Sequence, residues 1–175
     1  MASPNERLIY GAKTDSVEMM HEVLNGDAEF DVNAQDGLGN TALHYAASTP
    51  SPDALSLLLE RDDTDVDLQN RLDRFTPLHL AVRLEHEEAR AGVTEMLLDA
   101  GADPSLKDRH GLRAQDYLRP SSSETDKEIA QMIRVAMAER TTGANATANN
   151  ADLADDDDDD DGEVGSGSGS GSEEE

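Results

Sequence analysis

Arg74-Phe75-Thr76-Pro77-Leu78-His79-Leu80-Ala81-Val82 has a near copy upstream, Gly39-Asn40-Thr41-Ala42-Leu43-His44-Tyr45-Ala46-Ala47. Thr41 and Thr76 are 35 residues apart. A further shift of 37 lands on Gly111-Leu112-Arg113-Ala114-Gln115-Asp116, and a shift of 35 backwards lands on Leu8-Ile9-Tyr10-Gly11-Ala12. Periods of this size mean supersecondary units stacked on one another. Each block is followed by a second apolar stripe at helical spacing: Val17, Met20, Val23, Leu24; then Leu55, Leu58, Leu59; then Val93, Met96, Leu97, Leu98; then Ile129, Met132, Ile133, Met137. Each unit therefore reads as a short helix, a turn, a second helix and an extended loop.

These residues resemble the ankyrin repeat. Thr76-Pro77-Leu78-His79-Leu80-Ala81 carries that family's central motif without a mismatch, and Thr41-Ala42-Leu43-His44-Tyr45-Ala46 departs only at Ala42. Leu97-Leu98-Asp99-Ala100-Gly101-Ala102-Asp103-Pro104 resembles the family's unit ending, and Phe30 to Asp36 the loop that follows it. The resemblance implies an all-α solenoid of about four helix-turn-helix units with hairpin loops. It sets an ankyrin domain at 5–140: an N-terminal cap repeat at 5–35, repeat two at 36–70, repeat three at 71–107 and a C-terminal cap at 108–140. Terminal repeats are expected to be atypical because one face meets solvent.

The motif also makes physical sense by itself. Pro77 suits a first helical turn, where its missing N–H costs nothing. Thr41 and Thr76 suit helix caps. Gly101 suits a left-handed residue after the second helix. His44 and His79 recur at one register position, which argues for scaffold; the resemblance implies that they hydrogen-bond between adjacent loops. Two departures stand out. Four extra residues fall within 85–92, to lengthen a helix or to form a loop, and Arg74 stands where the pattern wants Gly, so the hairpin tip there is expected to be distorted.

Charge divides the chain in two. It has 175 residues, 14 Lys+Arg against 39 Asp+Glu, and a formal net charge of −25. The last base is Arg140, and 12 of the acids lie beyond it, so residues 1–140 keep 27 acids and 14 bases. The segment 141–175 contains Asp155, Asp156, Asp157, Asp158, Asp159, Asp160 and Asp161, then alternating Gly and Ser. It has too little apolar surface to offset its ordering entropy, so it reads as a disordered acidic tail. Such a chain has the wrong sign to bind nucleic acid or an anionic membrane through bulk charge. No run approaches a membrane span, and no basic-then-apolar leader opens the sequence. A cytoplasmic or nuclear location, and a monomer, are the expectations.

Chemistry-bearing constellations are scarce. With no Cys there is no thiolate nucleophile or thiolate metal site. Asp63-Thr64-Asp65-Val66-Asp67 opens like a calcium loop, but Leu68 and Arg74 stand where that loop needs Gly and Glu. His86-Glu87-Glu88 has no second ligand pair. No phosphate loop or nucleophile elbow is visible. We therefore expect no enzyme, no cofactor and no metal.

The expected function is protein binding. The resemblance places partner contacts on a concave face of hairpin tips and first helices. By register these positions are Gly37, Leu38, Asn40, Ser48, Thr49, Leu72, Asp73, Phe75, Arg83, Leu84, Arg109, His110 and Leu112. Leu38, Leu72, Phe75, Leu84 and Leu112 form an apolar line that either binds a partner or packs on neighbouring tips. Tyr10 and Tyr45 read as packed. The acid balance makes a basic client the expected partner, of the ribosomal-protein or histone class, docked on this face while the tail screens its charge. In layout the chain resembles small fungal ankyrin proteins that act as dedicated chaperones of newly made ribosomal proteins. The alternative is a generic scaffold or assembly factor whose tail serves solubility, or regulation by phosphorylation at Ser170 and Ser172, each with Glu three residues on.

Overall fold

The computed structural model describes residues 1–50 and 52–148, with side chains described as far as residue 143. Four helix pairs follow one another: α1 Pro4–Thr14 with α2 Val17–Leu24, α3 Ala42–Ala47 with α4 Pro52–Leu59, α5 Pro77–Ala81 with α6 Glu87–Asp99, and a 3-10 turn Ala114–Tyr117 with α7 Glu124–Ala148. Among the described residues there is no strand, only one isolated bridge between Lys107 and Arg113. Met1–Ala138 form one compact unit and Glu139–Glu175 a second. Of the second unit the described part is the end of α7. That helix passes Arg140 and reaches Ala148, so the expected boundary at 140/141 falls inside a helix.

The first helices stack as one layer, α1 on α3, α3 on α5 and α5 on the 3-10 turn, and the second helices as another, α2 on α4 and α4 on α6. Their facing stripes make the core. Leu8, Met20, Leu43, Leu55, Leu58, Leu78, Leu97, Ile129 and Ile133 are all buried. Ala12, Ala46, Ala47, Ala54 and Ala81 are buried between them, where a larger side chain would hold neighbouring helices apart.

The helix starts follow from local chemistry. Thr41 and Thr76 accept the N–H of His44 and His79 at 3.3 and 3.4 Å, and each histidine Nδ1 accepts the threonine N–H in return, at 3.1 and 3.2 Å. Pro77 opens α5. Gly101, with φ 93°, turns the chain after α6. The four extra residues of repeat three lengthen its second helix: α6 has 13 residues and α4 has 8. Pro120 follows a first helix reduced to the four-residue 3-10 turn.

Candidate functional site

Three hairpin tips rise beside the first helices, and each is built on one side chain. Asp36 Oδ1 accepts the N–H groups of Leu38 and Asn40, both at 2.9 Å. Asp108 Oδ1 accepts those of His110 and Leu112, at 2.7 and 3.0 Å. Asn70 Oδ1 does the same for Asp73 and Phe75, at 3.1 and 3.0 Å. The backbone closes between Asp36 and Asn40, between Asp108 and Leu112, and between Asn70 and Phe75. Tip two is thus one residue longer than the others. Arg74 takes the place of the left-handed glycine at φ 59°, against 83° at Gly39 and 79° at Gly111. The tip expected to be distorted is enlarged, and keeps its closure.

The tips join in a polar ladder. Arg71 N–H donates to Leu38 O at 3.0 Å, and Arg109 N–H to Asp73 O at 2.9 Å. Below them Gln35 Nε2 donates to Gly39 O and Gln69 O, and Gln69 Nε2 to Arg74 O and Lys107 O. Asn70 Nδ2 reaches Asn40 Oδ1 at 3.0 Å. The two buried histidines complete it. Because Nδ1 accepts from the threonine N–H, the ring proton sits on Nε2, and it donates across to Phe75 O from His44 (2.9 Å) and to Leu112 O from His79 (3.1 Å). Both rings are engaged at both nitrogens, an arrangement suited to joining repeats and with no ring nitrogen left for proton transfer.

Burial holds both histidines below the ordinary imidazole range; the Phe75 carbonyl and the charge of Asp36 partly oppose this at His44, as the Leu112 carbonyl and Asp108 do at His79. The folded state therefore binds fewer protons than the unfolded one. Stability from these rings is complete above the unfolded pKa of about 6.5 and is lost as pH falls from there toward the lowered folded values. At Asp36 burial pushes the pKa up, but the Tyr45 hydroxyl and tip N–H groups outweigh it; at Asp108 Tyr117 and its own tip do the same. Their contribution is lost only below about pH 4. A melting-temperature profile is thus expected to fall as pH drops below about 6.5 and again below about 4. A His44→Gln, His79→Gln chain should lack the first fall; if it keeps it, other groups carry that step.

Phe75 and Leu84 do not belong to an exposed line. Phe75 is 7% exposed, its ring stacked on His79 at 5.6 Å and edge-on to Tyr117 at 6.0 Å, with the Arg83 guanidinium over both Phe75 and Tyr117. Leu84 is buried in the core between repeats. For both the packing alternative holds. Tyr10 departs the other way: it is 57% exposed. Tyr45 is half-buried, its hydroxyl on Asp36 at 2.6 Å, and its pKa is raised by burial and by that carboxylate. Tyr117 bonds Asp108 likewise; burial first, then that hydrogen bond, pushes it up to about 12.

What stays exposed is a row of leucines, one per tip: Leu38 at 51%, Leu72 at 54% and Leu112 at 38%. Gly37, Arg109 and His110 are exposed beside them, and Asp73 is half-buried. Toward the helix ends, Ser48 and Thr49 turn their hydroxyls back onto Tyr45 O and Ala46 O, and Asn40 is held by Asn70. Arg71, Arg74 and Arg113 also belong to this surface, and the tip register could have found them, since they flank Leu72 and Leu112 in sequence. Along tips two and three the bases Arg71, Arg74, Arg109 and Arg113 outnumber the acids. The balance of charge along these two tips thus differs from that of the chain as a whole. The acidic residues 155–161, with Ser170 and Ser172, lie outside the described residues.

Comparison with known proteins agrees with this architecture. A family model described as ankyrin repeats (3 copies) matches residues 8–108. An ankyrin repeat-containing protein of Saccharomyces cerevisiae is 28% identical over 165 residues, covering 89% of this chain and 91% of the yeast protein. Residues 1–140 are only four fifths of the 175-residue chain, so that match runs past Arg140. Human ankyrin repeat and SOCS box protein 6 is 32% identical over 112 residues, 64% of this chain and 25% of that protein. The crystal structure of an ankyrin repeat protein superposes with a TM-score of 0.65 at 28% identity, over 76% of this chain and 68% of the other.

Proposed function

The chain belongs to the ankyrin-repeat family, and from that premise we propose that it is a protein-binding module whose partner lies along the hairpin tips, across Leu38, Leu72 and Leu112. One observation carries this reading. The compact unit buries or half-buries most of its large apolar side chains, yet each of its three tips presents one leucine to solvent, Leu38 and Leu72 two residues after the anchoring Asp36 and Asn70, and Leu112 at the closing position of its tip. Scattered exposed leucines need no explanation. One exposed leucine on each tip of a hydrogen-bonded ladder makes a set of apolar contacts held in place in advance, which reduces the ordering cost of binding. Asn40, Asp73, Arg109 and His110 offer polar contacts at its rim, with Ser48, Thr49 and Arg83 beyond them.

The test is an affinity purification followed by mass spectrometry, with the wild-type chain and a Leu38→Ser, Leu72→Ser, Leu112→Ser variant. These residues lie outside the core, so the variant is expected to melt within a few degrees of wild type. A partner present at near-equal stoichiometry should disappear from the variant. A partner retained in full would remove the tips from the interface.

A second reading keeps a basic client. The match to the yeast protein extends beyond Arg140, so the segment before the Asp run belongs to the shared length of the two proteins. The Asp run that follows it, 155–161, would escort a basic protein through charge rather than through the tips, by accelerating its capture. Removing residues 141–175 should then slow association mainly at low salt. A client whose association rate keeps its full salt dependence after that truncation does not use the segment.

A further inference from the structure

We propose that the tip row recognises an extended acidic segment bearing an apolar side chain at about every third residue. This rests on the tips being the partner surface, and gives that partner its chemistry.

The first ground is the state of the tip arginines. A chain with 39 acids and 14 bases has carboxylates in excess. Yet Arg71, Arg74 and Arg109 spend their hydrogen bonds on neutral oxygens: Arg71 Nη1 on Asp36 O at 3.5 Å, Arg74 Nη2 on Gln69 Oε1 at 3.0 Å, and Arg109 Nη1 on Leu72 O at 2.8 Å. None enters an ion pair among the described residues, where Arg7, Arg61, Arg90, Arg113 and Lys127 all do. Carbonyl contacts fix a guanidinium in place while leaving its charge, and most of its five N–H donors, for another ligand.

The second ground is that the nearby acids are committed. Asp36 and Asp108 each hold a tip with one oxygen and a tyrosine hydroxyl with the other, and both carboxyls are kept below the ordinary range. Their oxygens are taken up by the scaffold, while their charges remain. Asp73 is the one other acid of these tips, and it is half-buried. A carboxylate arriving at these tips therefore finds guanidiniums without an ion-pair partner among the described residues, the group that favours paired N–H···O contacts.

Spacing sets the pattern of the ligand. Packed helices stand about 8–10 Å apart, and successive tips ride on successive first helices. A polyproline-II chain, the extended form that brings every third side chain to one face, advances about 3.1 Å per residue. One apolar side chain per tip thus calls for one at about every third residue, with two intervening positions beside the arginines.

The experiment is fluorescence anisotropy of the full chain at physiological salt with three labelled peptides. Each has three leucines spaced three residues apart, with glutamate, lysine or serine pairs between them. The glutamate peptide is expected to bind at least about tenfold more tightly than the others. Arg71→Gln with Arg109→Gln should lower its affinity about tenfold, and so should Leu72→Ser. Tighter binding of the lysine or serine peptide that is still lost in Leu72→Ser overturns the acidic chemistry and leaves the tips as the partner surface. Binding of every peptide unchanged by Leu72→Ser overturns both. The comparison among peptides uses wild-type protein, so it stands whether or not the arginine variant folds.

Discussion

Alanine at Gly39 is expected to destabilise the protein by about 3 kcal/mol, whereas alanine at Gly111 costs about 1 kcal/mol. Both glycines close a hairpin tip in the left-handed region, with φ of 83° and 79°, so the conformational penalty on an L side chain is nearly the same. The difference is the neighbour. A Cβ on Gly39 would lie 2.3 Å from the backbone N of Arg71, whereas one on Gly111 meets nothing within 4 Å. Tip one has tip two stacked against it, joined by the Arg71 N–H to Leu38 O bond; tip three ends the row. A backbone atom cannot swing away as a side-chain end can, so the clash is relieved only by parting two repeats, and in a repeat array each interface supports the next. Arg74 supplies the converse case. It is a non-glycine at φ 59°, held by its Nη2 bond to Gln69. Arg74→Gly should therefore gain up to about 1 kcal/mol, less the value of that hydrogen bond. Urea titrations of the three variants check this ordering, and equal losses at Gly39 and Gly111 would show that stacking contributes nothing beyond φ.

Much of this architecture was legible because it repeats. A threonine, an apolar pair and a histidine at one spacing specify a capped short helix wherever they occur, and three-residue capping is local chemistry. What was not legible depends on contacts between units. Register placed Phe75 and Leu84 beside Leu72 on one face, but burial was decided by the rings of His79 and Tyr117 closing over Phe75. One available signal was passed over: Gln35 to Gln69 is a shift of 34, and Thr41 to Thr76 one of 35, so a residue had to be inserted between them, in tip two. Net charge is blind to local surfaces for a related reason. It averages over the chain, and a surface of four arginines disappears into a total of −25 even though binding senses the local field.

The largest effect without any motif to announce it belongs to Asp126. Arg90 Nε and Asp126 Oδ1 stand 2.9 Å apart, with side chains 13% and 10% exposed. The pair is in ion contact rather than in an aligned hydrogen bond. Each partner is bound elsewhere as well. Arg90 Nη1 donates to Leu84 O at 2.6 Å, and Asp126 Oδ2 accepts the Arg119 N–H at 2.7 Å. The extra residues of repeat three thus have a structural task. They extend α6 backwards so that Arg90 reaches the first turn of α7 and ties the C-terminal cap to repeat three. Removing the acid leaves a mostly buried guanidinium whose remaining counter-charge is the exposed Glu87, 3.4 Å from Nη2, the costly half of such a pair, whereas replacing both by apolar groups removes the desolvation burden with the attraction. Asp126→Leu is accordingly expected to lose about 3 kcal/mol, and Arg90→Met with Asp126→Leu distinctly less than the losses of Arg90→Met and Asp126→Leu together, by about 2 kcal/mol. The cycle is read by urea denaturation of the four chains. Single losses that simply add would mean that the two charges do not sense each other, and that α7 is held by the burial of Ile129 and Ile133 alone.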